Sequence, residues 1–177
     1  MSLLPNSARA SAKTATRLFL LFRAGGQRFA LDARQIAQVL PMLPLRPVAR
    51  APAWVAGVFA HRGQVVPVID IGALAFDQVA TARTSTRLVL VHYPVPGGPS
   101  DALLGLVLEQ ATHTLRCDPH EFRAYGLATP EAPYLGPVRE DAEGLLQWVG
   151  IHDLLDDSAR ALLYAPALAE GFREREG

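Results

Sequence analysis

Cysteine, lysine and long apolar runs are all scarce in this chain. Cys117 is its single cysteine, which excludes an internal disulfide and a cysteine-based zinc cluster and suits a reducing compartment. Lys13 is the one lysine among 17 basic residues. The rest are arginines, whose planar fork favours interface contacts, although G+C-rich codon usage produces the same count. Basic and acidic residues balance at 17 each, so the chain lacks the positive excess on which a nucleic-acid surface draws. Charged residues make up 19%, below the roughly 25% of ordinary domains, which leaves a lightly charged surface for a partner to cover. No apolar run approaches the ~20 residues of a membrane helix. Residues 1–16 carry Arg9 and Lys13 but no apolar stretch of the secretory kind; they read as a disordered leader.

What is present is apolar and finely punctuated. Half of the 177 residues are hydrophobic, with 14 prolines and 14 glycines. That length allows one domain or two small lobes sharing a core. Leu18-Phe19-Leu20-Leu21-Phe22 and Phe29-Ala30-Leu31 are short branched or aromatic runs around Gly25-Gly26, a hairpin signal. Asp32 followed by Gln35 resembles a capping box, and Ile36, Val39 and Leu40 fall at helical spacing, which predicts a two-turn helix stopped by Pro41. That helix would turn Ile36 and Val39 inward and Gln38 outward. Prolines 41, 44, 47 and 52 keep the next stretch extended.

Val58-Phe59-Ala60 and Val65 to Ile69 read as strands around a turn at His61-Arg62-Gly63-Gln64, with Pro67 implying an edge or a bulge. Residues 77–86 read as a polar linker. Arg87 to His92, Leu103 to Leu108, Thr112 to Leu115, Tyr134-Leu135 and Leu145 to Val149 continue the strand pattern. Asp118-Pro119 opens a short helical turn. Leu155, Ala159, Leu162 and Leu163 share a helical face that closes the fold, and residues 164–177 form a charged tail. The expectation is a mainly β protein over residues 17–163, built as two small lobes at about 17–76 and 87–150, with short helices and a C-terminal helix.

Motifs for chemistry are missing. The five histidines, His61, His92, His113, His120 and His152, include no pair at metal-ligand spacing. There is no G-x-S-x-G elbow and no phosphate loop with its lysine. Glu140-Asp141 and Asp156-Asp157 are sequence neighbours of the solvated kind, and Cys117 lacks a histidine context. Neither an active site, a metal nor a cofactor is expected.

One long stretch is specific. Residues 57–71, Gly57-Val58-Phe59-Ala60-His61-Arg62-Gly63-Gln64-Val65-Val66-Pro67-Val68-Ile69-Asp70-Ile71, resemble the signature of the CheW-like family: G-V, three residues, R-G, two residues, V-P-V-I-D-L. The opening strands, Gly105-Leu106-Val107-Leu108-Glu109, Tyr134-Leu135-Gly136 and Leu154-Leu155 match it too, so the resemblance spans about residues 17 to 163. Ala60-His61 replaces the family's frequent Asn-Leu, and Gly72 stands where a basic residue is common. The stretches 85–91 and 115–119 are most similar to the WspB-type coupling proteins of Wsp surface-sensing pathways.

The resemblance implies two five-stranded β-barrel subdomains and a non-enzymatic cytoplasmic adaptor recruited to membrane-bound receptor arrays. Such an adaptor couples the cytoplasmic tip of a methyl-accepting chemotaxis-type receptor to the regulatory domain of a CheA-type histidine kinase. In the Wsp-type branch the output is cyclic di-GMP. By position, the resemblance makes Ile36, Gln38, Val39, Gly57, Arg62 and Gly63 the partner-binding residues. Arg62 either reaches a partner's carbonyls and carboxylates or braces the turn internally, and Gly57 and Gly63 serve backbone geometry. Two other readings stay open. One is a small barrel that binds single-stranded nucleic acid or sugar; the other is a small hydrolase using Cys117 or a histidine.

Overall fold

The computed structural model describes residues 15–125, 129–166 and 170–171. The leader expected over 1–16 lies outside these residues except for its last two. The expected tail is described only at 164–166 and 170–171.

Among the described residues, strands and short helices follow one another in the order β1 (Arg17–Ala24), β2 (Gln27–Asp32), β3 (Ile36–Pro41), β4 (Val55–His61), β5 (Gln64–Asp70), α1 (Ile71–Phe76), β6 (Arg87–His92), β7 (Leu103–Cys117), β8 (Leu135–Asp141), β9 (Gly144–Val149) and α2 (Asp157–Leu163). The expectation of a mainly β protein with short helices holds. The helix predicted through Ile36, Val39 and Leu40 does not form. Asp32 caps only a single 3-10 turn, Ala33–Gln35, accepting from the Arg34 N–H, and the chain then enters β3. The physical reason is tertiary. Ile36 and Val39 are β-branched, and β3 pairs along its length with the apolar strand β6, Val39 opposite Val89 and Leu40 opposite Leu88. That pairing outweighs a two-turn helix, which is marginal alone.

Strand pairing crosses between the sequence blocks 17–76 and 87–150. The hairpin β1–β2 is joined by the second half of β7 on the β1 side and by β9, in parallel, on the β2 side. The hairpin β6–β7 receives β3 on the β6 side and β5, in parallel, on the β7 side. The hairpins β4–β5 and β8–β9 complete the two groups. Each block therefore keeps its own first hairpin and donates its later strands to the other block's hairpin. The two blocks share this plan strand for strand, a duplication that the side-chain pattern conceals.

The two five-stranded groups are joined through β7, which is 15 residues long and belongs to both. Neither closes by a full strand ladder. In each, the chain beyond one end strand returns to the other edge through one isolated bridge, Arg46 to Val58 in one group and Arg123 to Val138 in the other.

Core packing repeats this two-part plan. One group encloses Phe59, Val66, Val68, Leu88, Leu90 and Val107. The other encloses Phe19, Ala30, Cys117, Phe122 and Leu146, with Trp148 edge-on to Phe19 at 4.9 Å between centroids. The largest cluster lies at the seam, where Phe22, Phe29 and Leu31 meet Ile69, Val91, Leu104 and Leu106, under Leu155, Ala159 and Leu163 from the closing helical segment. Each of the larger side chains contributes about 1.5–3 kcal/mol by leaving water, so the seam binds the two groups into one unit. Pro67 is buried in β5 opposite Val58. It lies just before the β5–β7 pairing begins at Val68, so its missing N–H falls outside that ladder.

Candidate functional site

The residues singled out by sequence sit on two neighbouring features of one five-stranded group. The first is the β4–β5 hairpin. His61 pairs with Gln64, leaving Arg62 and Gly63 as a two-residue loop with φ of 49° and 80°. Positive φ at both positions is the primed-turn geometry that matches strand twist, and it explains the Arg-Gly pair. Glycine adopts this backbone freely, whereas Arg62 holds it at a cost of roughly 1 kcal/mol. Arg62 is exposed and has no ion-pair partner among the described residues. It braces nothing among them, and the two-residue tip presents it to solvent.

Gly57 lies within β4 at φ 145°. A Cβ there would lie 2.6 Å from the Arg46 carbonyl oxygen and 3.0 Å from the Leu45 Cβ. Glycine is what allows the chain after β3 to press onto β4. The two hydrogen bonds that result run from Arg46 N–H to the Val58 carbonyl (2.9 Å) and from Val58 N–H to the Arg46 carbonyl (2.8 Å). Gly57 is buried and acts through this bridge.

The second feature is β3. Its alternation places Ile36, Gln38 and Leu40 half-buried and Ala37, Val39 and Pro41 outward. Val39 is 44% exposed and Leu43, just beyond the strand, 36%. This reverses the orientation expected from a helix: Gln38 shares the inner side with Ile36, and Val39 is the outward apolar residue. Leu40, Met42 and Leu45 turn onto the core of this group. The free edge of β3 carries no bridge among the described residues, whereas the edges of β4 and β8 each carry one. An unpaired strand edge offers backbone N–H and C=O groups to another chain. The sequence reading missed Leu43, whose signal is an apolar residue inside a proline-punctuated stretch.

The buried carboxylates have structural duties. Asp70 accepts from Ala73 N–H at 3.1 Å, capping α1, and from Ala80 N–H at 2.8 Å, tying down the following loop. Burial pushes the Asp32 carboxyl up, but Arg34, which reaches it at 2.9 Å, outweighs burial and holds it below the usual carboxylate range. Asp141, where the turn of the β8–β9 hairpin begins, accepts both guanidinium nitrogens of Arg28 at 2.7 and 3.1 Å and a further bond from Arg139. The Arg28 hydrogen bonds depress its pKa. Burial raises the Cys117 thiol pKa, away from the thiolate a nucleophile needs. Among the described residues, no group of three or more His, Cys, Asp and Glu side chains is placed to hold a metal ion. No helix among them is long and apolar enough to cross a membrane.

Comparison with known proteins bears on this geometry. The chain is 33% identical over 105 residues to the protein FrzA of Myxococcus xanthus, an alignment covering 58% of this chain and 65% of that one. It is 23% identical over 168 residues to the chemotaxis protein CheW of Klebsiella aerogenes, covering 92% and 96%. The crystal structure of the scaffolding protein TtCheW from Thermoanaerobacter tengcongensis superposes with a TM-score of 0.70 at 14% identity, over 84% of this chain and 94% of that one, a likeness of fold. The CheW-like domain family matches residues 18–159, which takes in every strand but the first residue of β1, both hairpin tips and the β3 edge, and the chain belongs to that family.

Proposed function

We propose that this protein is a non-enzymatic adaptor that couples the cytoplasmic tip of a methyl-accepting chemotaxis-type receptor to the regulatory domain of a CheA-type histidine kinase. The observation that carries this reading is a strand edge that carries no bridge among the described residues, with Val39 exposed on it and Leu43 exposed just beyond, set in the same five-stranded group as a primed turn that presents Arg62, which has no ion-pair partner among those residues. Its support comes from the family and from the relatives named CheW. Ile36, Gln38, Val39, Gly57, Arg62 and Gly63 are the partner-binding set. Val39 and Arg62 make contact, Ile36 and Gln38 hold the strand against β6, and Gly57 and Gly63 fix the backbone. The adaptor works in the cytoplasm, recruited to membrane-bound receptor arrays, without inserting into lipid or binding nucleic acid.

The finer assignment we propose is the WspB-type branch, in which kinase output governs cyclic di-GMP. It rests on the similarity of residues 85–91 and 115–119 to that branch. Co-purification tests the coupling role. Tagged protein mixed with a cognate receptor cytoplasmic domain and a kinase regulatory domain is expected to retain both at once. Retention of neither rejects the role. Deleting the gene is expected to lower cellular cyclic di-GMP without altering swimming, and the reverse pattern rejects the Wsp-type branch.

A further inference from the structure

The seam between the two five-stranded groups carries a second feature that the coupling role does not use. As β7 passes from one group to the other, two steps of β1, from Leu21 to Arg23, face four steps of β7, from His113 to Glu109. Among the extra residues Gln110, at φ 50°, and Thr112 face outward while Ala111 stays in the core. A cleft of about 620 Å3 beside these residues is lined in part by Leu21 and Phe22, a size within the range of small-ligand sites. Three guanidinium-bearing residues line it, Arg23, Arg28 and Arg83, against one carboxylate, Glu143.

Charge accounting singles out two of the three. Arg28 is already neutralised by Asp141 at 2.7 Å and Glu143 at 3.2 Å. Arg23 and Arg83 have no ion-pair partner among the described residues; Arg83 bonds through its backbone, donating its N–H to Thr86 Oγ1 and accepting at its carbonyl from the Thr86 N–H. Ser85, Thr112 and Thr114, together with Gln110 and His113, complete the lining. Glu109 stands opposite Arg23 in the register but makes no ion pair with it, its carboxylate accepting from the Thr81 N–H. A concave site holding two guanidinium groups that make no ion pair among the described residues attracts negative charge, and forked Arg contacts suit tetrahedral or planar oxyanions.

We propose that this cleft binds a small, multiply charged oxyanion, a phosphate- or carboxylate-bearing metabolite, with Arg23 and Arg83 as its charge partners. This goes beyond the coupling role, which rests on β3 and the β4–β5 hairpin and stands or falls separately.

The test is calorimetric titration of the full chain at low salt with inorganic pyrophosphate and, separately, with citrate. Saturable one-to-one binding of at least one anion is expected, and preference for one identifies phosphate or carboxylate as the recognised group. Arg23→Gln and Arg83→Gln are each expected to weaken binding about tenfold or more, with thermal melts unchanged because neither side chain has an ion-pair partner to lose. Arg50→Gln, an exposed arginine outside the cleft, is expected to bind as the parent does. Three results overturn the proposal: no saturable binding of either anion at a concentration on the order of 10 mM, equal weakening by Arg50→Gln, or loss of receptor or kinase binding in the Arg23 and Arg83 variants without any anion binding in the parent.

Discussion

Substituting Gly57 with alanine tests whether the β4 glycine holds its five-stranded group together. The added Cβ meets the Arg46 carbonyl oxygen at 2.6 Å, and the backbone at φ 145° is one that side-chain-bearing residues rarely adopt. Strain of that kind costs about 1–3 kcal/mol. Relief of the clash separates Leu45-Arg46 from β4 and breaks the two Arg46–Val58 hydrogen bonds, each worth about 1 kcal/mol net. The sum is about 3–5 kcal/mol, a large share of the roughly 5–15 kcal/mol that holds a domain folded. For a chain of this length it lowers the melting temperature by about 6–20 °C. Gly63→Ala is the internal control: its φ is 80°, but nothing lies within 4 Å of the new Cβ, so strain acts alone, at about 1 kcal/mol. Urea titration of the two variants beside the parent measures both. A Gly57→Ala loss no greater than that of Gly63→Ala refutes the argument that close approach of the Arg46 strand is what requires glycine.

Arg62→Gly relieves left-handed strain while deleting the guanidinium, so its stability is expected to equal or exceed the parent's by up to about 1 kcal/mol. Its affinity for the kinase regulatory domain is expected to fall by about 2 kcal/mol, read by calorimetry. Val39→Asp is expected to leave the melt within about 0.5 kcal/mol of the parent, as surface changes do, and to weaken pull-down of the same domain. Asp141 has a depressed folded pKa, so the stability it contributes is present above its unfolded value of about 3.9 and is lost as pH falls through the lower folded value. Asp141→Asn is therefore expected to cost about 1–2 kcal/mol at pH 7 and to flatten the acid limb of stability below about pH 4, as urea midpoints across pH will show. Cys117, buried and with a raised thiol pKa, is expected to react with a disulfide reagent only as fast as the chain unfolds.

The hairpins were legible because their signals are local. Gly25-Gly26 and Arg62-Gly63 have positive φ at both turn positions, and such pairs announce a two-residue loop within a short window. The closing helix was legible from Leu155, Ala159 and Leu163, all buried, although Leu162 on the expected face is 39% exposed. What was not legible depends on partners far along the chain. Ile36 to Leu40 carries helical spacing, yet β6, some fifty residues away, recruits it as a strand. That exchange inverted the faces of Gln38 and Val39. α1 escaped notice because six apolar residues after a strand show no period of their own. The interleaving of the two blocks left no mark either, since a strand buried by a distant hairpin reads like one buried by its own neighbour. The Arg62 tip was visible from its turn chemistry. The Val39–Leu43 surface needed the true secondary structure first.

The most direct test of the coupling role is sedimentation of the purified protein with a receptor cytoplasmic domain and a kinase regulatory domain. One boundary containing all three chains is expected, dissolved into separate species by combining Val39→Asp with Arg62→Gly while the variant itself stays folded. Competition between receptor and kinase for the protein, so that only binary species form, contradicts an adaptor that holds both at once.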